Sequence, residues 1–140
     1  MIFALDLPHV FNRNASRDEN AAALRALLDC LIALNTAYLQ EHNAAPLYES
    51  GVRYKRTNTW STLPALYMRG YGDCKSLTAA LVAERRKMGI PAAPVFRWVP
   101  NSTGGISYHI LVQTPQGFED PSRALGMGSN ENGMLAQGDY

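Results

Sequence analysis

Two cysteines, Cys30 and Cys74, are all the chain holds, too few for a disulfide framework. Neither belongs to a Cys-x-x-Cys pair, so no close-spaced zinc-ligand motif is present. No stretch is expected to approach the roughly 18 apolar residues of a membrane span. The opening residues lack the basic and apolar regions of a secretory signal. Charge of neither sign prevails: 13 Lys and Arg stand against 12 Asp and Glu, a formal net charge of +1. That balance argues against a dedicated nucleic-acid or membrane-surface binder. The short basic runs Arg53-Tyr54-Lys55-Arg56 and Arg85-Arg86-Lys87 read as solvated faces. Internal repeats are missing as well. A reducing cytoplasm is the expected setting, and there a cysteine with a histidine elsewhere is a candidate nucleophile.

With 140 residues, 46% of them hydrophobic, the chain can build one domain whose core needs neither metal nor disulfide. Residues 1–125 are expected to form that domain. From Gly126 on, Gly, Ser, Asn and Gln dominate, which predicts a flexible tail over residues 126–140. Ile2 to Val10 reads as a short strand or extended arm. Ser16-Arg17-Asp18-Glu19 is a capping box. Leu24, Leu27, Leu28, Leu31 and Tyr38 then keep helical spacing, predicting a long helix from about Arg17 to about His42. Cys30 lies within it and is expected to be a small buried hydrophobe.

Residues 44–59 look polar and irregular. Ser61 is placed to cap a short helix that has Pro64 in its first turn and Gly70 past its end. Tyr71-Gly72 reads as a tight connection. Asp73 is placed to cap a helix running to about Met88, closed by Gly89 and Pro91. Its apolar positions Leu77, Ala80, Leu81 and Met88 predict the central helix of the core. Val95, Phe96, Trp98 and Val99 are strand formers, and Pro100 to Gly105 is a turn-rich loop. Ile106, Tyr108, Ile110 and Val112 alternate with Ser107, His109, Leu111 and Gln113, a strand of period two. Thr114-Pro115-Gln116-Gly117 is a tight-turn signal, after which residues 118–120 return as another strand. Helices followed by an antiparallel sheet make the class α+β.

Chemistry concentrates at Cys74, in the first turn of its predicted helix. Amides there carry partial positive charge, which favours a thiolate and can hold an oxyanion. Asp73 opposes the thiolate, although it caps the same amides, and Lys75 adds a positive charge nearby. A thiol nucleophile wants a base. His9 lies in the arm and His42 at a helix end, where surface roles suffice. His109 is in mid-strand. A two-residue hairpin at Pro115-Gln116 pairs Gln113 with Phe118 and Leu111 with Asp120. His109 and Asp120 then share a sheet face, diagonally related and within reach of one another. A carboxylate there can hold one imidazole nitrogen and leave the other for the thiol. Taken singly, Cys74 could merely pack at a helix start, His109 in a strand, and Asp120 at a turn.

Gly70-Tyr71-Gly72-Asp73-Cys74-Lys75-Ser76-Leu77 resembles the G-x-G-D-C nucleophile segment of bacterial transglutaminase-like proteins. Tyr108-His109-Ile110-Leu111-Val112 and Glu119-Asp120-Pro121-Ser122 resemble that superfamily's His and Asp-Pro strands. Trp60-Ser61-Thr62-Leu63-Pro64 resembles the Trp and Pro ahead of its Cys helix. The resemblance runs from about Trp60 to Met127 in the order Cys, His, Asp. It implies a papain-related α+β core, with Cys74 as nucleophile, His109 as base and acid, and Asp120 as orienter, and no cofactor. Lys75 stands where the eukaryotic crosslinking enzymes carry Trp, and their calcium sites and extra β-domains have no counterpart. The implied activity is thiol acyl transfer on protein or peptide substrates, by hydrolysis or transamidation. Trp60 and Tyr71 are candidate second donors to the oxyanion.

The alternative is a non-catalytic module of the same fold that binds within a larger assembly. Short stand-alone members resemble those of bacteria and their phages, so a virion setting belongs to this alternative. Zinc held by Cys74, His109 and Asp120 is a third reading, weakened by the missing close-spaced ligand pair.

Overall fold

The computed structural model describes residues 4–12, 14–100 and 106–128. Helix α1 (Arg17–Glu41) begins where the capping box predicts. The Glu19 N–H donates to Ser16 Oγ at 3.1 Å and the Ser16 N–H to Glu19 Oε2 at 2.8 Å, satisfying two first-turn amides reciprocally. Leu24, Leu28, Leu31, Ile32, Asn35 and Leu39 form the buried face. Cys30 is exposed, not buried as expected. The inward stripe runs through positions 28, 31 and 32, and a residue two places from Leu28 points away from it. By length and composition α1 could also cross a membrane, so the expectation that no stretch approaches that limit is corrected. Its apolar content reflects alanines on the outward face as well as leucines packed along the central helix.

Residues 44–59 are more ordered than their polarity suggested. A 3₁₀ turn (Leu47–Glu49) buries Leu47, whose N–H donates to Glu84 Oε1 at 2.7 Å. Strand β1 (Arg53–Tyr54) then pairs in parallel with β2 (Tyr71–Gly72). A two-residue parallel ladder between distant segments leaves no local periodicity to read. Between them, α2 (Leu63–Arg69) has Thr62 and not Ser61 at its N-cap position, with no side-chain capping bond. Ser61 is engaged elsewhere: its N–H donates to Ser76 Oγ at 2.9 Å, and its Oγ accepts from Arg69 Nη1 at 2.7 Å. Buried Asn35 Oδ1 takes the Leu63 N–H at 2.7 Å, tying α1 to the start of α2. Gly70 ends α2 with φ 83°, the left-handed conformation that glycine adopts without a Cβ clash.

Helix α3 (Cys74–Lys87) is the central helix. Every residue from Cys74 to Ala83 is buried, because α1, α2 and the sheet surround it. Met88 is the exception to the expected stripe: it is the C-cap and is exposed. Strands β3 (Ala93–Pro100), β4 (Ile106–Thr114) and β5 (Gly117–Glu119) form an antiparallel sheet in the order β3-β4-β5. Thr114 pairs with Gly117 and Gln113 with Phe118, the expected register of a two-residue hairpin. Strand β5 stops at Glu119. Asp120 lies beyond it as the N-cap of α4 (Pro121–Ala124), its Oδ1 accepting the Arg123 N–H at 3.2 Å. Proline at N1 supports that switch from strand to helix.

Residues 126–128 stay on the fold, with Met127 buried and its N–H donating to Ser122 O at 2.8 Å. The rest of the expected tail (129–140) lies outside the described residues. So do residues 1–3 of the arm and residues 101–105 of the expected loop. Residues 4–12 form no strand. Among the described residues the protein is α+β, with four helices and a small antiparallel sheet.

Candidate active site

The short β5 shapes the site. It covers β4 only from Val112 to Thr114, so the edge of β4 at Ile110 is open to α3. Helix α3 occupies it. Thr78 Oγ1 donates to Ile110 O at 3.2 Å. One turn earlier, the Ile110 backbone N–H donates to the sulfur of Cys74. Positions 74 and 78 share one helix face, so a single strand residue fixes the height of the nucleophile on the sheet. Cys74 therefore meets β4 at the residue after His109.

His109 is fully buried. Its Nε2 lies 2.9 Å from Asp120 Oδ2. An ionised carboxylate only accepts, so Nε2 carries the proton and donates to it. Nδ1 is then the nitrogen with the lone pair in the neutral ring. Asp120 has two tasks: Oδ1 caps α4 and Oδ2 holds the imidazole. Arg123 Nε stands 3.7 Å from the same Oδ2.

The residue before Asp120 is clamped. Arg85 on α3 donates from Nη2 to Glu119 Oε1 at 2.6 Å and from Nε to Oε2 at 3.2 Å. Such two-pronged pairs fix orientation as well as distance. The Tyr48 hydroxyl adds a bond to Glu119 Oε1 at 3.1 Å. The Arg85 guanidinium holds the Glu119 carboxyl below its ordinary range. Burial and the Glu119 charge push the Tyr48 hydroxyl up.

The electrostatics of Cys74 differ from the expectation. Burial, with the Asp73 carboxylate next, pushes the thiol up from 9.0 to about 12. Lys75 and the Ile110 amide act in the opposite direction and are outweighed. Two features explain why the helix terminus does not win. Asp73, as N-cap, spends the Lys75 amide on its own Oδ1 at 3.2 Å. The Lys75 ammonium, buried at 6% exposure, pairs with Asp73 Oδ2 instead of the sulfur. Lys75 also donates to Thr57 O at 3.1 Å and lies 5.6 Å from the Trp60 ring centre. It thereby straps residues 57–61 to the first turn of α3. The resting thiol is neutral.

Sequence reasoning missed Tyr108. Its hydroxyl is pushed up to about 12 by burial, then by the charges of Cys74 and Asp73. That dependence puts a protonated O–H donor in the electrostatic neighbourhood of the sulfur. The signal available in the sequence was its position on β4 two residues before Ile110. Trp60 lies on the strap beside Lys75, and Tyr71 lies under Lys55 and Arg69.

Among the described residues no three His, Cys, Asp or Glu side chains come together as a metal-ligand group; His109 and Asp120 bond one another instead. Comparison with known family models, curated proteins and solved structures finds no match to the chain.

Proposed function

We propose that the chain is a transglutaminase-like thiol enzyme with a papain-related core, acting on amide bonds of protein or peptide substrates. The observation that carries this reading is the 2.9 Å His109–Asp120 bond on the strand whose next residue holds Cys74. As sulfur bonds to the amide carbonyl carbon, its proton passes to His109 Nδ1. The C=O electron pair moves onto oxygen, and the Asp120 carboxylate offsets the new imidazolium charge. The Cys74 amide and the Tyr108 hydroxyl are the donors suited to that oxygen. Collapse of the adduct breaks C–N, and the imidazolium returns its proton to the leaving amine. Water or a second amine then attacks the thioester with His109 again as base. A neutral resting thiol makes His109 a general base at the moment of attack, instead of half of a standing ion pair. A reducing cytoplasm suits a protein with an essential thiol.

One observation favours a second reading. Cys74 is only 9% exposed and its thiol is pushed up to about 12, as suits a non-catalytic module of the same fold within a larger assembly. Peptide electrophiles with a carbonyl-mimicking warhead separate the two. In a Cys30→Ser background, intact mass should record a single adduct at Cys74 that His109→Ala abolishes. An equal adduct in the His109→Ala protein, or none in either, would assign the chain to the module.

A further inference from the structure

The segment that leads into Cys74 carries charge of one sign only, positive. From Gly51 to Gly72 the chain has no Asp or Glu, yet it carries Arg53, Lys55, Arg56 and Arg69. All four are exposed. Among the described residues none of them pairs with a carboxylate, whereas Lys75, Arg85 and Arg123 each do. The parallel β1–β2 ladder puts this segment beside the nucleophile: the Lys55 N–H donates to Gly72 O at 2.8 Å, two residues before Cys74. Two cations converge on one ring, with Lys55 Nζ 4.6 Å and the Arg69 guanidinium 5.9 Å from the Tyr71 centroid. Arg69 is further held by Ser61 Oγ at 2.7 Å. The two acids nearest the thiol, Asp73 and Asp120, are both occupied by Lys75 and His109.

Like charges gathered without counter-ions repel one another. A ligand of opposite sign relieves that repulsion and is drawn in by the summed field. Resting on the acyl-transfer reading, we propose that the substrate is an acidic polypeptide segment, its Asp and Glu side chains lying over Lys55, Arg56 and Arg69 while the scissile amide reaches Cys74. Nucleic acid is the less fitting occupant: the chain's formal net charge is only +1, and counterion release on a phosphate backbone draws on many more cations.

Binding and turnover test this separately. The full-length Cys74→Ala protein is titrated into fluorescein-labelled decapeptides rich in Glu, in Gln or in Lys at low salt, read by anisotropy. The Glu peptide should bind at least ~10-fold tighter than the Gln peptide. Lys55→Glu with Arg56→Glu should remove that preference, and so should about 0.5 M salt. Both positions are exposed, and the Lys55 bond to Gly72 uses the backbone N–H alone, so the variant keeps the fold. Equal binding of Glu and Gln peptides, an unchanged preference in the double variant, or tighter binding of a single-stranded oligonucleotide would overturn the proposal. Turnover of the same peptides by the wild type isolates the other claim. Charge-selective binding with no cleavage or transamidation rejects the acyl-transfer reading and keeps the acidic ligand; cleavage without charge preference does the reverse.

Discussion

Asp120 allows structure and chemistry to be separated by two substitutions. Asp120→Ala removes the acceptor of the Arg123 N–H and the acceptor of His109 Nε2. Loss of an N-cap costs about 1 kcal/mol. Stripping the partner from an N–H of a fully buried ring costs about 1–3 kcal/mol more. A loss of roughly 2–4 kcal/mol lowers the Tm of a domain this size by roughly 6–12 °C. Asp120→Asn behaves differently. Asn is as good an N-cap as Asp, but it has one acceptor oxygen for two bonds. With that oxygen kept on the Arg123 N–H, its NH2 faces Nε2, and the ring must move its proton to Nδ1 to accept from it. Stability should therefore fall by less than in the Ala variant, about 1 kcal/mol. What Asn lacks is the negative charge that favours imidazolium. With that charge gone and the proton on Nδ1, the rate of Cys74 acylation should fall by about 10²–10⁴ in the Asn variant although its Tm drops less than that of the Ala variant. Thermal denaturation and stopped-time mass spectrometry read the two quantities on the same sample. A folded Asp120→Asn protein acylated at the wild-type rate would refute the orienting role and leave Asp120 as a helix cap.

Stability should also depend on pH through Cys74. Between pH 9 and about 12 the unfolded thiol ionises while the buried one keeps its proton, so the unfolded chain is favoured and stability falls across that window, by at most about 4 kcal/mol. Cys74→Ala should flatten this alkaline slope in denaturant titrations. At the acid end, Glu119 is held below its ordinary range by Arg85. Its contribution is present above the ordinary carboxylate pKa and lost as pH falls through the lowered one; partial exposure keeps it within about 1 kcal/mol, and Glu119→Gln should remove it. Lys75→Met should cost about 3–5 kcal/mol by leaving the Asp73 carboxylate buried and uncompensated, with Asp73→Asn added in the same chain restoring much of it. Gly72→Ala should destabilise by about 1–3 kcal/mol, because the new Cβ would stand 2.6 Å from Leu66 Cδ1 and 3.3 Å from Ser76 Cβ. Trimming Leu66 to Val in that background should recover part of the loss.

Signals within a few residues of one another read correctly. The Ser16–Glu19 box, the Asp73 cap, the glycine after α2 and the two-residue turn at Pro115-Gln116 all act locally, and the structure has each of them. The His109–Asp120 contact was legible for the same reason, since hairpin register follows from turn length. What failed depended on packing between distant segments. Cys30 and Met88 were given to a stripe by sequence neighbourhood, and only the docking of α1 and α3 decides which side is inside. The parallel β1–β2 ladder has no periodic trace. The thiol of Cys74 was expected to drop because helix amides act at short range. The actual direction is upward because burial and Asp73 outweigh them and Lys75 is turned to Asp73. Charge partners of that kind cannot be assigned until the side chains are placed.

The most direct trial of the account is the alkylation of Cys74 by iodoacetamide from pH 6 to pH 10 in a Cys30→Ser background, with and without His109→Gln. A neutral thiol served by a carboxylate-held imidazole predicts alkylation below pH 9 that is lost with the imidazole, leaving only a climb at high pH. Superimposable profiles for the two proteins would mean that His109 does nothing for the sulfur, and the enzyme would have to be given up.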